Sequence, residues 1–315
     1  MSDVLRVLSH VPLGLLEPVR AEHPDVELVE IPEEGPLPAA AQGEIALTQA
    51  WGSPNMAEVM TRGVRWVHAY GTGVNDFPFD TLGDATFTCS RGASSVPISE
   101  WVMAVLLAAE KELPQRWISA PPQPPERWNI AFLGGLRGRT LAILGFGGIG
   151  QAVAQRALAF DMRVRALRRS GGASPVPGVE MVADVEALVA DADHLVLALP
   201  LTEATHHLVD APLLSHAKPG LHVVNVSRGG LIDQEGLREA LDEGRVSLAS
   251  LDCVEPEPLP AGHWLFEHPK VRLSAHISWS GPGALEELIA PFVENLGRFR
   301  RGEPLLGVVD RELGY

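Results

Sequence analysis

Residues 140–150 constrain the fold most: an apolar run breaks into glycines at Gly145, Gly147, Gly148 and Gly150 and resumes as a helix-forming segment reaching about residue 160. Gly145, Gly147 and Gly150 stand in G-x-G-x-x-G order. In a strand-turn-helix unit the first glycine lets the chain turn tightly, the second lets backbone approach a pyrophosphate, and the third lets helix and strand pack closely. The context fits, because a buried-type strand precedes the glycines and a second strand, 162–167, follows the helix. That helix would aim its first amides and the positive end of its dipole at phosphate oxygens. Gly145, Gly147, Gly148, Ile149 and Gly150 are therefore expected to hold a dinucleotide.

The glycine turn opens a longer alternation. Strands are predicted at 140–144, 163–167, 194–199, 222–226, 247–251 and 271–273, with helical segments between most of them. Such alternation gives a doubly wound parallel sheet whose ligands sit at the carboxyl ends of the strands. Upstream, strands at 4–8, 26–31, 45–48, 64–69 and 85–89 predict a second parallel α/β layer. Ser53-Pro54 reads as a helix start, 98–113 as a long apolar helix ended by Pro114, 119–126 as a proline-rich connector, and 284–300 as a last helix returning to the first layer. The expected architecture is α/β with two domains.

With 315 residues and 46% hydrophobic content the chain can fill two cores. A net charge of −15 argues against nucleic acid or an anionic membrane as the main partner, since both need a basic face. The longest apolar run, 101–109, is too short to span a bilayer, and residues 1–10 lack a charged segment followed by an apolar one. Cys89 and Cys253 stand far apart without metal-ligand spacing, as expected of reduced thiols in a cytoplasmic protein. The His206-His207 pair lacks an acid or cysteine at ligand spacing, so it reads as structural or exposed and no metal is expected.

The second strand of an NAD-binding unit usually ends in an acid that accepts bonds from the ribose hydroxyls. Here Arg168, Arg169 and Ser170 stand at that end. Guanidinium groups fork onto a 2′-phosphate, which a carboxylate would repel, so NADP is expected in preference to NAD. Later strand ends carry the chemistry. Arg228 follows a buried strand, with Gly229 keeping the backbone clear, and an arginine there can clamp a carboxylate bidentately and polarise the adjacent carbonyl. Asp252, Glu255 and Glu257 crowd the mouth of the next strand, and His276 follows the last one. A carboxylate beside an imidazole favours the protonated ring, so a Glu257 and His276 pair is expected to serve as a general acid. Reduction of a 2-keto acid needs these parts: a hydride from the cofactor, a proton from His276, and Arg228 on the substrate.

These residues resemble the D-isomer-specific 2-hydroxyacid dehydrogenases, a family that includes glyoxylate/hydroxypyruvate reductases and phosphoglycerate dehydrogenases. The resemblance runs from about residue 63 to 294 and rests on 136–140, 199–205, 225–233, 251–260 and His276, in the family's order. It implies that Arg228, Glu257 and His276 are the catalytic arginine, glutamate and histidine, and that Asp252 orients the nicotinamide amide. Pro200, Thr205, Val226 and Ser227 fall in the cofactor-side blocks. Residues 70–74, with Thr72 and Gly73, look like the substrate loop whose amides grip the carboxylate. Trp51 and Trp279 are aromatic candidates for the pocket wall. The resemblance further implies a flavodoxin-like substrate domain at 1–100 and 285–315, a Rossmann domain inserted at 101–284, and a homodimer. Two positions depart from the pattern: Asn75 stands where aspartate is common, and Ala275 where proline usually precedes the histidine. The alternative reading is a corepressor-like nucleotide sensor that binds the cofactor without turnover.

Overall fold

A computed structural model describes residues 4–121 and 131–315. Residues 1–3 and most of the proline-rich connector expected at 119–126 lie outside the described residues. The chain divides into two compact units, Met1–Ser94 with Gly281–Tyr315, and Ser95–Ser280.

The first unit is built on β1 (Arg6–Ser9), β2 (Glu27–Glu30), β3 (Ile45–Gln49), β4 (Trp66–Tyr70) and β5 (Thr86–Cys89), all parallel, in the order β2-β1-β3-β4-β5. That is the flavodoxin-like order. The central strands β3 and β4 are buried along most of their length, as a parallel sheet covered on both faces requires. The terminal helix Ala284–Arg301 supplies one cover: Ile289, Phe292, Val293 and Leu296 pack with Val7, Ile45, Leu47 and Trp66. Leu82, Phe77 and Phe87 belong to a separate cluster with Leu8, Val67 and Val59. The C-terminal segment is thus part of the first unit's core.

The second unit holds β6 (Thr140–Leu144), β7 (Arg163–Leu167), β8 (Val179–Met181), β9 (His194–Leu197), β10 (Leu221–Asn225), β11 (Val246–Leu251) and β12 (Val271–Leu273). Their order is β12-β11-β10-β9-β6-β7-β8, again all parallel. Counted from β6 this is the doubly wound 3-2-1-4-5-6 order with a seventh edge strand, and the winding reverses between β6 and β9. In β6, β9 and β10 every residue is buried.

Four details differ from the sequence reading. Edge strand β8 has no counterpart in the sequence reading, because two partly buried residues around the exposed Glu180 make no apolar run. The helix expected to start at Ser53-Pro54 runs Met56–Met60; Asn55 stands at its cap position, and its side-chain amide donates to the carbonyls of Pro32 and Gly35. The long helix runs Ser95–Glu110 rather than 98–113. It packs through Ile98, Val102 and Leu106 against Val153, Ala154 and Ala157 of helix Gly148–Ala159. Being one continuous helix, it moves the unit boundary from 100/101 to 94/95; the second boundary lies at 280/281 rather than 284/285.

Candidate active site

The three motif glycines play distinct steric roles. Gly145 has φ +99, and a Cβ there would lie 2.5–2.6 Å from the backbone of Ala198 and Leu199, so β6 can turn beside β9 only with glycine. A Cβ on Gly150 would stand 2.3 Å from the Gly145 carbonyl oxygen, which locks helix against strand. Gly147 is the opposite case: a Cβ there meets nothing within 4 Å. The open side belongs to the residue preceding helix Gly148–Ala159, whose first turn has neither a side-chain cap nor an acid. Uncapped amides, a positive dipole end and a backbone face left clear suit a pyrophosphate, so these residues fit a dinucleotide.

At the end of β7 the Arg168 guanidinium folds over its own loop: Nε donates to the Gly171 carbonyl at 2.7 Å and Nη2 to that of Ala173 at 2.9 Å. Arg169 and Ser170 are both exposed. After β9, the Thr205 hydroxyl donates to the Pro200 carbonyl at 2.8 Å and accepts from the Thr202 amide at 2.8 Å. Its bonds shape the 200–205 turn rather than face outward. Val226 likewise points inward, its side chain being part of the core, so only its backbone stands at the strand end. The Ser227 hydroxyl donates to the Leu199 carbonyl, joining the loops after β9 and β10.

Arg228 follows β10, half-buried, with Nη1 donating to the Ser227 carbonyl at 2.8 Å. Gly229 behind it is obligatory, since a Cβ would fall 2.0–2.5 Å from the Val254 and Glu255 backbone. The fully buried Asn225 organises this corner: its Nδ2 donates to the Arg228 carbonyl at 2.8 Å, and its Oδ1 accepts from the Ser227 amide at 3.0 Å. Asp252 is 1% exposed, and its carboxylate accepts from Ser274 Oγ at 2.5 Å, the Ile277 amide at 2.9 Å and the Ser278 amide at 2.9 Å. The Asp252 carbonyl also accepts from the His276 amide at 2.9 Å. Asp252 therefore clamps the loop on either side of His276, using most of its acceptor capacity within the chain. His276 itself has φ 54, the left-handed region that a non-glycine residue rarely occupies. Its Nδ1 lies 2.7 Å from Glu257 Oε1. Against an ionised carboxylate Nδ1 carries the hydrogen, which leaves Nε2 as the reactive nitrogen.

Sequence reading missed Asn225 and Ser274 as organising residues. The one available signal was a polar side chain closing an apolar run, and which way it turns is decided by partners 28 and 22 positions away. It also missed the partner of the histidine pair: Glu255 Oε2 lies 3.9 Å from His206 Nε2 and 3.7 Å from His207 Nε2. Cys253 is buried, and burial followed by the adjacent Asp252 charge pushes its thiol up to about 12. It stays a thiol at physiological pH and is neither nucleophile nor ready metal ligand.

Trp51, Thr72 and Gly73 belong to the first unit. They follow β3 and β4, which pair in parallel with Gln49 opposite Tyr70, so they leave the same end of that sheet. Trp51 is 65% exposed, and the Thr72 hydroxyl donates to the Ser90 carbonyl at 3.1 Å. Trp279, three residues after His276, is half-buried and packs against the core of the second unit.

A Rossmann sheet with an open glycine turn, and with an arginine and an acid-histidine pair at its strand ends, defines a dinucleotide-dependent oxidoreductase. Comparison with known proteins gives the family. The profile described as "D-isomer specific 2-hydroxyacid dehydrogenase, NAD binding domain" matches residues 103–278. A glyoxylate reductase of Korarchaeum cryptofilum is 33% identical over 282 residues, covering 85% of this chain and 83% of that protein. One from Thermofilum pendens is 29% identical over 267 residues, covering 83% and 77%. Among solved structures, a D-isomer specific 2-hydroxyacid dehydrogenase from Xanthobacter autotrophicus in complex with NADPH and MES superposes with a TM-score of 0.84 at 27% identity, covering 99% of both chains. The chain belongs to the D-isomer-specific 2-hydroxyacid dehydrogenase family, whose members are oxidoreductases exchanging hydride between NAD(P) and 2-hydroxy or 2-keto acids. No helix of the described residues is long and apolar enough to cross a membrane.

Proposed function

We propose that this enzyme reduces a small 2-keto acid, of the glyoxylate or hydroxypyruvate kind, to the D-2-hydroxy acid with NADPH. The observation that carries the reading is the 2.7 Å contact of His276 Nδ1 with Glu257, which commits Nε2 to proton transfer. Bound at the glycine turn, the dinucleotide supplies the hydride. Arg228 pairs with the substrate carboxylate and draws electron density from the keto oxygen, while His276 delivers the proton that oxygen needs as it becomes a hydroxyl. Glu257 keeps the ring oriented and offsets its charge. The amides around Thr72 and Gly73 are assigned to the carboxylate, and Trp51 and Trp279 to the pocket wall.

Arg168, Arg169 and Ser170 support the preference for NADPH, with NAD as the weaker cofactor, and the NADPH complex of the Xanthobacter relative agrees with it. The family resemblance brings a homodimer with it, which sedimentation velocity tests, and the two buried free cysteines suit a reducing cytoplasm. The binding-protein alternative draws no support from relatives named as reductases.

Consumption of NADPH and NADH against glyoxylate, hydroxypyruvate, pyruvate, phenylpyruvate and branched 2-keto acids tests the activity. Turnover of glyoxylate or hydroxypyruvate is expected; cofactor binding with no turnover on any of them would sink the proposal. Arg168→Asp should lower the NADPH-to-NADH ratio of kcat/KM by roughly tenfold or more, the worth of one charge-assisted hydrogen bond. An unchanged ratio would remove Arg168 from the 2′-phosphate.

A further inference from the structure

We propose that His206, His207 and Glu255 form a binding site for a zinc-class divalent metal ion, tying the loop after β9 to the loop after β11. The donor atoms of the three side chains all lie within 4.8 Å of one another. Both imidazole Nε2 atoms approach the same carboxylate oxygen, at 3.9 and 3.7 Å. With metal-ligand bonds of about 2.0–2.1 Å, tetrahedral donors stand about 3.4 Å apart, so small rotations of these half-exposed side chains close the site. Two imidazoles and one carboxylate form a set that suits zinc and its neighbours, leaving a fourth position to water, whereas magnesium and calcium require mostly oxygen.

The backbone arranges this convergence. Side chains adjacent in sequence ordinarily diverge, yet the two imidazole rings stack with centroids 3.8 Å apart and planes inclined by 24°. His207 holds the left-handed conformation, φ 52. It is fixed there by its amide bond to the Gly230 carbonyl at 2.8 Å, while the His206 amide bonds the Thr202 carbonyl at 2.9 Å. On the other side the Glu255 carbonyl accepts from Gln234 Nε2, and the glycine-only approach of Gly229 sets the position of the Val254-Glu255 backbone. Three donors are thus presented from two braced loops. Those loops also carry Thr205 and Glu257, so an occupied site stiffens both flanks of the catalytic residues.

The test uses the full chain, stripped with chelator and titrated with Zn2+ against a competing chromophoric chelator, and with Co2+ for its visible ligand-field bands. One equivalent is expected, with a cobalt spectrum of a nitrogen-oxygen site and a rise in Tm on adding zinc. His206→Ala and His207→Ala should each weaken binding by more than the roughly tenfold that loss of an outer partner costs. Both should abolish the zinc-dependent rise in Tm while leaving the metal-free Tm and metal-free turnover unchanged. The proposal is overturned by the absence of stoichiometric binding. It is equally overturned if one equivalent binds with unaltered affinity in both variants, which would put the ion elsewhere, for instance on His276 and Glu257.

Discussion

At His276 a strained backbone and a catalytic side chain coincide. A non-glycine residue at φ 54 costs of order 1–3 kcal/mol and persists only where neighbours over-determine it. Asp252 does so, holding the residues before and after the histidine through Ser274, Ile277 and Ser278. This is a different task from the contact with the nicotinamide amide that the resemblance implied. Substituting His276 by alanine should lower kcat by about 10²–10⁴, the usual contribution of a positioned proton donor, and near-normal turnover would refute the role. Asp252→Asn keeps the shape but gives up the charge and one acceptor. Its kcat should fall by at least about tenfold while the dissociation constant for NADPH changes little, because what is lost is the aim of His276; a variant that loses cofactor affinity and keeps kcat would instead assign Asp252 to the nicotinamide amide. The Glu257-His276 pair was legible because histidine after a strand and acids at the neighbouring mouth have few other uses. The inward turns of Thr205 and Val226 were not, because a residue's place in a motif does not say which way its side chain faces.

Among the elements, the strand-turn-helix unit was read nearly residue for residue, since its glycines answer to local sterics. Edge strand β8 and the start of the Ser95–Glu110 helix depend on what packs against them and left no comparable mark. The turn permits a clean separation of fold from binding. Gly147 has φ −83 and open space where a Cβ would go, so Gly147→Ala should leave Tm within a degree or two and yet weaken NADPH binding by about tenfold or more, the methyl standing where pyrophosphate approaches. Gly150→Ala meets the Gly145 carbonyl oxygen at 2.3 Å and should destabilise the second unit by roughly 1–3 kcal/mol, the range for forced overpacking. Isothermal titration and thermal unfolding of the two variants provide the check. Equal losses of stability would mean the open side of Gly147 is not open.

Over the whole molecule, both units are parallel sheets covered on two faces, and polar side chains on their inner strands are buried with them. Histidines make this a matter of pH. His68 on β4 is fully buried, its Nδ1 2.7 Å from Thr88 Oγ1, and it packs on Trp66 and Phe292; burial lowers its ring to about 3. His222 on β10 is held well below the ordinary range by burial and by the nearby His194. The unfolded chain takes up a proton near the ordinary value of 6.5, and the folded chain refuses it until far lower pH. Stability from these groups is therefore complete above pH 6.5 and declines as pH falls below it; for His68 the decline runs toward pH 3 at about 1.4 kcal/mol per pH unit. Glu110 and Asp193, whose folded values lie below the usual carboxylate range, lose their contribution only as pH falls through 4.5 and below, so the interval from pH 7 to pH 5 isolates the histidines. Urea titrations at those two pH values should show that His68→Gln, which cannot take up the proton, reduces the acid-induced loss of stability of the first unit by about 2 kcal/mol, even where it costs stability at pH 7. His222→Gln should also lessen the acid-induced loss of the second unit, independently, since the two sites share no partner. If His68→Gln leaves the pH 7 to pH 5 difference untouched, then the ring is protonated inside the fold and its burial is not what makes the first unit sensitive to acid.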